Sequence, residues 1–230
     1  MDSPPEKKLH DRGYIVLPPF LGYENIRSLS TALAPITDGL SSAGKRGIAN
    51  AVDQVKKIAH SEGILSVVRS VLGSEVKLAR SIYFNKTPDT NWKVSWHQDV
   101  TIAVKEKLEV EGYSPWSMKD GVVHVQPPES VLQRMLTLRI HLDDADNNNG
   151  ALYVSPGTHS LGKIRPEDIK ATVGKYGEVC CKVEEGGVML FRPLLLHRSG
   201  KMMNRKSRRV VHLEYTAASL DGGLVWSEVA

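Results

Sequence analysis

Residues 135–143 read Met-Leu-Thr-Leu-Arg-Ile-His-Leu-Asp. The leucines and the isoleucine fall at every second position, and threonine, arginine, histidine and aspartate lie between them. Because successive side chains of a strand point to opposite faces, this alternation predicts a β-strand with one apolar and one polar face. The Asn-rich run 146–150 that follows is typical of a turn and predicts a hairpin with the apolar residues 151–154.

Outward from this strand, the pattern predicts helices before strands. Apolar residues have helical spacing over 23–36 and 50–72, with a loop predicted at 39–47. Further strands are predicted at 13–17, 76–86, 179–183, 188–191 and 210–215. Many short strands after helices indicate a β-rich sandwich or barrel with helical buttressing. We predict one domain over 1–230, with a helical buttress at about 20–75, a β core at about 76–216 and an irregular segment, 100–130, as candidate lid.

Composition narrows the class of protein. The chain has 230 residues, of which 41% are hydrophobic and 24% charged, as in ordinary globular proteins. A net charge of +4 is too small to argue for nucleic acid as a partner. The first residues lack the apolar core of a signal peptide, and no apolar run approaches a membrane span. Cys180 and Cys181 are adjacent and imply no disulfide framework, so the sequence predicts a cytoplasmic protein without a membrane partner.

Two His-x-Asp triplets are candidates for metal binding, Trp96-His97-Gln98-Asp99 and His141-Leu142-Asp143. On a strand, either pair could aim two ligands at one metal. His141 is next to a turn rich in aspartate, which is typical of a solvent-facing or hydrogen-bonded histidine. The first triplet therefore is the better candidate for a metal site.

The second imidazole could come from His159, His197 or His212. His197 closes an apolar run, so a strand could deliver it inward, although a buried core histidine is equally typical of such a run. Two histidines and one carboxylate form the facial triad that holds non-haem Fe(II) and leaves the opposite face open.

Several stretches together resemble the phytanoyl-CoA dioxygenase family of Fe(II)/2-oxoglutarate oxygenases. Residues 96–99 resemble the family's proximal ligand motif, and 148–159 resemble its Asn-Gly and Pro-Gly-Thr-His hairpin. Residues 187–200 resemble the strand of the distal histidine, and Arg208 follows at the family's spacing. The resemblance covers about 80–215. It implies a double-stranded β-helix, also called a jelly roll, with buttressing helices that are mainly N-terminal.

The resemblance also implies the roles of the site residues. His97, Asp99 and His197 would bind iron, and Arg208 would pair with the distal carboxylate of 2-oxoglutarate, which suits its planar fork. Only one of Arg208 and its neighbour Arg209 can face inward on a strand. Ser199 and Arg80 are further implied contacts of the cosubstrate. Thr137, on the polar face of its strand, is a candidate residue of the pocket.

The implied reaction consumes O2 and 2-oxoglutarate and hydroxylates a small organic molecule, with release of succinate and carbon dioxide. Related halogenases replace the carboxylate ligand with a small residue, whereas Asp99 is intact. Hydroxylation is therefore favoured over halogenation. Desaturation or cyclisation is an alternative, and so is a non-catalytic jelly roll that binds a metal or ligand. The sequence carries no signal of the oligomeric state.

Overall fold

Most of the helices lie in the first third of the chain, and most of the strands follow. The computed structural model describes residues 5–38, 44–204 and 206–228. Its α-helices are α1 (Pro5–Arg12), α2 (Tyr23–Asp38), α3 (Ile48–Ala51), α4 (Asp53–Ala59), α5 (Glu62–Leu72), α6 (Glu129–Gln133) and α7 (Ile169–Tyr176). Its strands are β1 (Tyr14–Leu17), β2 (Gly44–Arg46), β3 (Lys77–Lys86), β4 (Val94–His97), β5 (Ile102–Val104), β6 (Trp116–Lys119), β7 (Val122–Val125), β8 (Met135–His141), β9 (Leu152–Val154), β10 (Val179–Cys181), β11 (Val188–Phe191), β12 (His197–Ser199) and β13 (Arg208–Thr216).

Two antiparallel sheets form the β core. The larger has six strands in the order β1-β11-β8-β13-β3-β2, and the smaller has four in the order β10-β9-β12-β4. Met189 and Phe191 of the larger sheet share an apolar cluster with Leu152 and Val154 of the smaller. The two sheets therefore pack face to face, and from β8 to β13 the chain crosses between them repeatedly. This is the jelly-roll architecture predicted from the sequence.

The apolar face of β8 turns away from the space between the sheets. Leu136, Leu138 and Ile140 are fully buried in one cluster with Leu29 of α2 and Ile64 of α5. Each fully buried side chain of this size contributes about 1.5–3 kcal/mol relative to an exposed one. The helices thus cover the outer face of the larger sheet, and the polar face of β8 is left to line the interior of the jelly roll.

Two predictions in the N-terminal half are wrong in detail. The helix predicted over 50–72 is three helices, because Val52 takes an extended conformation between α3 and α4 and the chain breaks again at His60 and Ser61. The loop predicted at 39–47 contains strand β2, which at three residues is too short to show alternation. Residues 39–43 of that loop lie outside the described residues.

The hairpin predicted between β8 and β9 is also wrong. β8 pairs with β11 and β13 in the larger sheet, whereas β9 pairs with β10 and β12 in the smaller. The Asn-rich turn does form, since the Asp146 carboxylate accepts hydrogen bonds from the N–H groups of Asn148 and Asn149. A turn signal fixes where the chain reverses and does not fix which strand it pairs with afterwards.

The segment 100–130 is not irregular. It forms a third sheet in the order β5-β7-β6, and its apolar face packs on Met135, Leu194 and Trp226. Strands of three or four residues are too short for the alternation on which the prediction relied.

Among the described helices, none combines the length and apolar character that a membrane crossing requires.

Candidate active site

The smaller sheet brings the predicted metal ligands together. His97 ends β4 and is the register partner of His197, the first residue of β12. Asp99 follows His97 and is fixed by a hydrogen bond of 2.9 Å from its N–H to the Pro193 carbonyl. Its carboxylate oxygens lie 3.8 Å from His97 Nε2 and 3.6 Å from His197 Nε2. All three potential ligand atoms lie within 4.8 Å of one another.

Backbone carbonyls orient both imidazoles. His97 Nδ1 lies 2.9 Å from the Ser95 carbonyl, and His197 Nδ1 lies 2.9 Å from the Leu195 carbonyl. Because a carbonyl oxygen only accepts, Nδ1 of each ring carries a proton, which leaves Nε2 as the nitrogen that faces the cluster and can bind a metal. Hydrogen bonds of this kind fix the tautomer and ring orientation of metal-binding histidines.

The ionisation of the cluster suits a divalent cation. Burial lowers the pKa of His197 to about 4, so its imidazole is neutral near pH 7. Burial alone would raise the pKa of Asp99, but the His197 and His97 rings hold it well below its usual value. Neutral imidazoles and an ionised carboxylate are the forms that bind metal. The donor set therefore fits Fe(II), with the partly exposed His97 on the solvent side of the buried His197.

The rival triplet does not join this cluster. His141 lies on the inner face of β8 and is 2% exposed, and neither ring nitrogen has a hydrogen-bond partner within the described structure. The expectation of a solvated or hydrogen-bonded His141 is therefore wrong, because the polar face of β8 faces the interior. His159, the other turn histidine, is structural: its Nε2 lies 2.9 Å from the His10 carbonyl.

His212 lies beside the cluster and is tied to a buried ion pair. Its Nε2 donates to Glu214 Oε1 at 2.9 Å, and the same carboxylate oxygen accepts from Arg80. Asp99, His212 and Glu214 form a second group of possible ligands within 4.8 Å. Since Glu214 is already engaged by Arg80 and His212, the first group has the freer donors.

Strand alternation separates the two neighbouring arginines on β13. Arg208 is 2% exposed and donates to the Gly150 carbonyl inside the jelly roll. Arg209 points outward and makes hydrogen bonds of 2.7 and 2.9 Å to the Asp143 carboxylate. The structure therefore places Arg208, and not Arg209, in the interior.

Ser199 and Gly150 complete the surroundings of Arg208. Ser199 Oγ donates to the Gly150 carbonyl at 2.8 Å and accepts from Lys86 Nζ at 3.0 Å. Gly150 has a φ of +78°, and a Cβ there would lie 3.0 Å from Lys86 Nζ. Glycine is therefore required for this approach. Burial, followed by the charges of Arg208 and Arg139, lowers the pKa of Lys86 to about 7.

A single cavity joins the metal cluster to Arg208. Its lining residues are Phe84, Trp92, Val94, His97, Asp99, Arg139, Leu152, His197, Ser199, Arg208 and His212. Arg80 and Thr137 lie outside this lining: Arg80 is paired with Glu214, and Thr137 is buried with no hydrogen-bond partner for its hydroxyl among the described residues. Five of the seven predicted side chains therefore share the cavity, whereas these two do not.

Sequence reasoning missed Arg139 and Lys86 as neighbours of the site. The alternation of residues 135–143 puts Arg139 on the same face as Thr137, which was a usable signal. Lys86 closes the strand predicted at 76–86, and a lysine at the end of a strand is ordinarily exposed to solvent. The structure places it at the end of β3, where it is fully buried.

Fold and site together define a jelly-roll protein in which a two-histidine, one-carboxylate cluster and a buried arginine line the same cavity. Residues 9–210 match the family model described as Phytanoyl-CoA dioxygenase (PhyH). The chain belongs to this family.

Several curated relatives are 25–28% identical to the chain over 66–75% of its length. "Phytanoyl-CoA dioxygenase domain-containing protein 1" of Rattus norvegicus is 27% identical over 187 residues, which cover 75% of the chain and 55% of that protein. The chain thus spans about half the length of the curated relatives it matches.

Solved structures share the fold. EctD from S. alaskensis with 2-oxoglutarate and 5-hydroxyectoine has a TM-score of 0.73 at 20% identity, covering 92% of this chain and 74% of EctD. SnoN, described as a non-heme alpha ketoglutarate dependent epimerase from nogalamycin biosynthesis, has a TM-score of 0.72 at 16% identity, covering 94% and 80%. At these identities the likeness concerns the fold alone.

Proposed function

We propose that the chain is an Fe(II)- and 2-oxoglutarate-dependent dioxygenase that hydroxylates an unactivated C–H bond of a small organic molecule. The observation that carries the proposal is the cluster itself. Two imidazoles and one ionised carboxylate converge within 4.8 Å, and they share a cavity with the buried Arg208. Membership of the PhyH family and the structural likeness to EctD support the same reaction class.

In this proposal His97, Asp99 and His197 hold the iron, and Arg208 and Ser199 hold the distal carboxylate of 2-oxoglutarate. Iron and cosubstrate, when bound, supply the oxidising equivalents from O2 with release of succinate and carbon dioxide. The guanidinium of Arg208 has the planar fork that binds a carboxylate through two parallel hydrogen bonds. The apolar side chains of Phe84, Trp92 and Leu152 keep the cavity poor in water, which strengthens these charged contacts.

Asp99 supports hydroxylation over halogenation, because its carboxylate occupies the position that a halide would need. The fold does not determine the type of oxidation, since SnoN shares the fold and is an epimerase. The third sheet, β5-β7-β6, is the proposed cover of the substrate side, as it lies in the segment between Asp99 and β8. We propose small molecules as substrates and neither nucleic acid nor membrane as partners.

A substrate screen tests the proposal. Oxygen uptake that depends on 2-oxoglutarate is measured over a panel of small acids, amino acids and acyl conjugates, and the products are identified by mass. A product heavier by one oxygen atom supports hydroxylation, and one lighter by two hydrogen atoms indicates desaturation or cyclisation. Iron-loaded protein that shows neither oxygen uptake nor 2-oxoglutarate turnover would instead be a non-catalytic binding protein.

A further inference from the structure

A second buried guanidinium faces the cavity of the proposed active site. Arg139 lies on the inner face of β8, in the middle of the larger sheet, and is 5% exposed. Its register partners are His212 on β13 and Met189 on β11, so strands hold it on both sides. It lines the same cavity as the metal cluster and Arg208.

Arg139 has no acidic partner in the part of the chain that the structure describes. Its Nη1 donates to His212 Nδ1 at 3.3 Å, which fits His212 because the Nε2–H of that ring donates to Glu214. Its Nε has no partner among the described residues, and its guanidinium lies 5.5 Å from the Phe84 ring centroid. Most of its hydrogen-bonding capacity is therefore free.

Two other arginines that are buried or half-buried, Arg80 and Arg209, differ in this respect. Arg80 is paired with Glu214, and Arg209 is paired with Asp143. Of the described arginines, only Arg139 and Arg208 line the cavity, and neither forms an ion pair within the described structure. A buried charge without a counter-ion is costly to a folded protein. Burial lowers the pKa of Arg139 only to about 10, so it stays charged at neutral pH. Two unpaired cations in one cavity indicate a ligand with two negative groups.

The two guanidiniums have different neighbours in the cavity. Arg139 contacts His212, whose ring nitrogen lies within 4.8 Å of an Asp99 carboxylate oxygen. Arg208 contacts the Gly150 carbonyl, beside Ser199 and Lys86. Arg139 is thus the cation that adjoins the metal cluster through His212, and Arg208 is the cation beside Ser199.

We propose that Arg139 binds the carboxylate of 2-oxoglutarate that adjoins its keto group, while Arg208 binds the distal carboxylate. The inference rests on the proposed function. The cosubstrate fits better than the substrate as the partner of Arg139, because Arg139 is deeply buried in the larger sheet. A substrate arriving from solvent meets the cluster on the side of His97, whose side chain is 39% exposed.

Comparing the binding of two keto acids, 2-oxoglutarate and 2-oxovalerate, distinguishes the carboxylate contact of Arg139 from that of Arg208. 2-Oxovalerate keeps the keto-acid end of 2-oxoglutarate and has a methyl group in place of the distal carboxylate. Dissociation constants of both compounds are measured by anaerobic calorimetry on Fe(II)-loaded wild type, Arg139→Met, Arg208→Met and, as control, Arg209→Met. Truncation of one partner of a buried charge pair weakens binding by about thirtyfold or more.

We expect Arg208→Met to weaken the binding of 2-oxoglutarate by this factor and to leave the binding of 2-oxovalerate unchanged. Arg139→Met should weaken the binding of both keto acids by the same factor, and Arg209→Met should change the binding of neither. Arg139→Lys should weaken both equally and less severely, because it keeps the charge without the fork. This conservative variant decides the question if Arg139→Met does not fold.

Two results would overturn the inference. If Arg139 variants bind both keto acids like wild type, Arg139 serves the substrate or the fold and not the cosubstrate. If they weaken the binding of 2-oxoglutarate alone, Arg139 contacts the distal carboxylate of 2-oxoglutarate. Failure of wild type to bind either keto acid is a different result, because it refutes the proposed function itself.

Discussion

His97 and His197 are direct register partners in the antiparallel pair of β4 and β12, and their ring centroids lie 4.2 Å apart. Strand pairing therefore sets the distance between the two imidazoles, and the backbone carbonyls of Ser95 and Leu195 set their orientation. A slip of one residue in this register would turn His197 to the opposite face of its strand. The site is built on paired backbone, which gives it the rigidity that a metal site needs.

The Asp99 carboxylate is predicted to be indispensable for both metal retention and turnover. Asp99→Ala should abolish substrate-linked succinate formation and weaken Fe(II) binding, because one of three ligands is lost. The matched control is Asp143→Ala, which removes the carboxylate of the second His-x-Asp triplet and the partner of Arg209. Iron content and succinate are measured on both purified variants. Hydroxylation retained by Asp99→Ala would refute the role of Asp99.

The buried ion pair beside the site is predicted to support the fold. Glu214 and Arg80 have side chains 3% and 9% exposed, so Glu214→Gln leaves a buried cation without its partner. The free energy of unfolding should fall by about 3–5 kcal/mol in urea denaturation. Glu178→Gln, which breaks the more exposed pair with Arg198, should cost about 0–1 kcal/mol. Equal losses in the two variants would contradict this account.

Lys86 is predicted to make stability depend on pH. Burial lowers its pKa from 10.5 to about 7 in the folded state. Between these values the unfolded chain binds the proton and the folded protein does not, so the free energy of unfolding rises with pH, by at most about 1.4 kcal/mol per pH unit. Below the folded-state pKa this contribution is constant and unfavourable.

The measurement for Lys86 is urea denaturation at several pH values above neutrality. Wild type should gain stability relative to Lys86→Met as pH rises through this window. Parallel pH profiles for the two proteins would show that Lys86 keeps its proton in the folded state.

The outer face of β8 is predicted to be a main contributor to stability. Leu138 is fully buried between the larger sheet and the helices. Leu138→Ala should lower the free energy of unfolding by about 2–5 kcal/mol, since it removes apolar contacts and leaves a cavity. Leu161→Ala is the control, because that side chain is 46% exposed and should cost far less. Denaturation curves that coincide for the two variants would be inconsistent with this packing.

Much of the fold could be predicted from local pattern. The alternation over residues 135–143 predicted strand β8 and assigned its two faces, and the same rule separated Arg208 from Arg209. The pattern could not show that helices cover the apolar face, so His141 was expected near solvent and lies in the interior. That choice depends on what packs against the sheet, which is tertiary information.

Parts of the site depended on contacts distant in sequence and stayed beyond prediction. Lys86 meets Ser199 and Gly200 only because β3 and β12 converge, and nothing in the predicted strand 76–86 indicated that its last residue would be buried. The third sheet was missed because its strands have three or four residues. Arg139 was visible in the strand pattern, but its lack of an acidic partner required the whole interior to be in place.

The central claim is that this cluster and cavity bind Fe(II) and 2-oxoglutarate together. Anaerobic addition of Fe(II) and 2-oxoglutarate tests it most directly, because an iron-chelated keto acid gives a weak visible charge-transfer band. Wild type and the Arg209→Met control should develop this band, and His197→Ala should not. A wild-type protein that demonstrably binds Fe(II) and yet shows no band with 2-oxoglutarate would contradict the account.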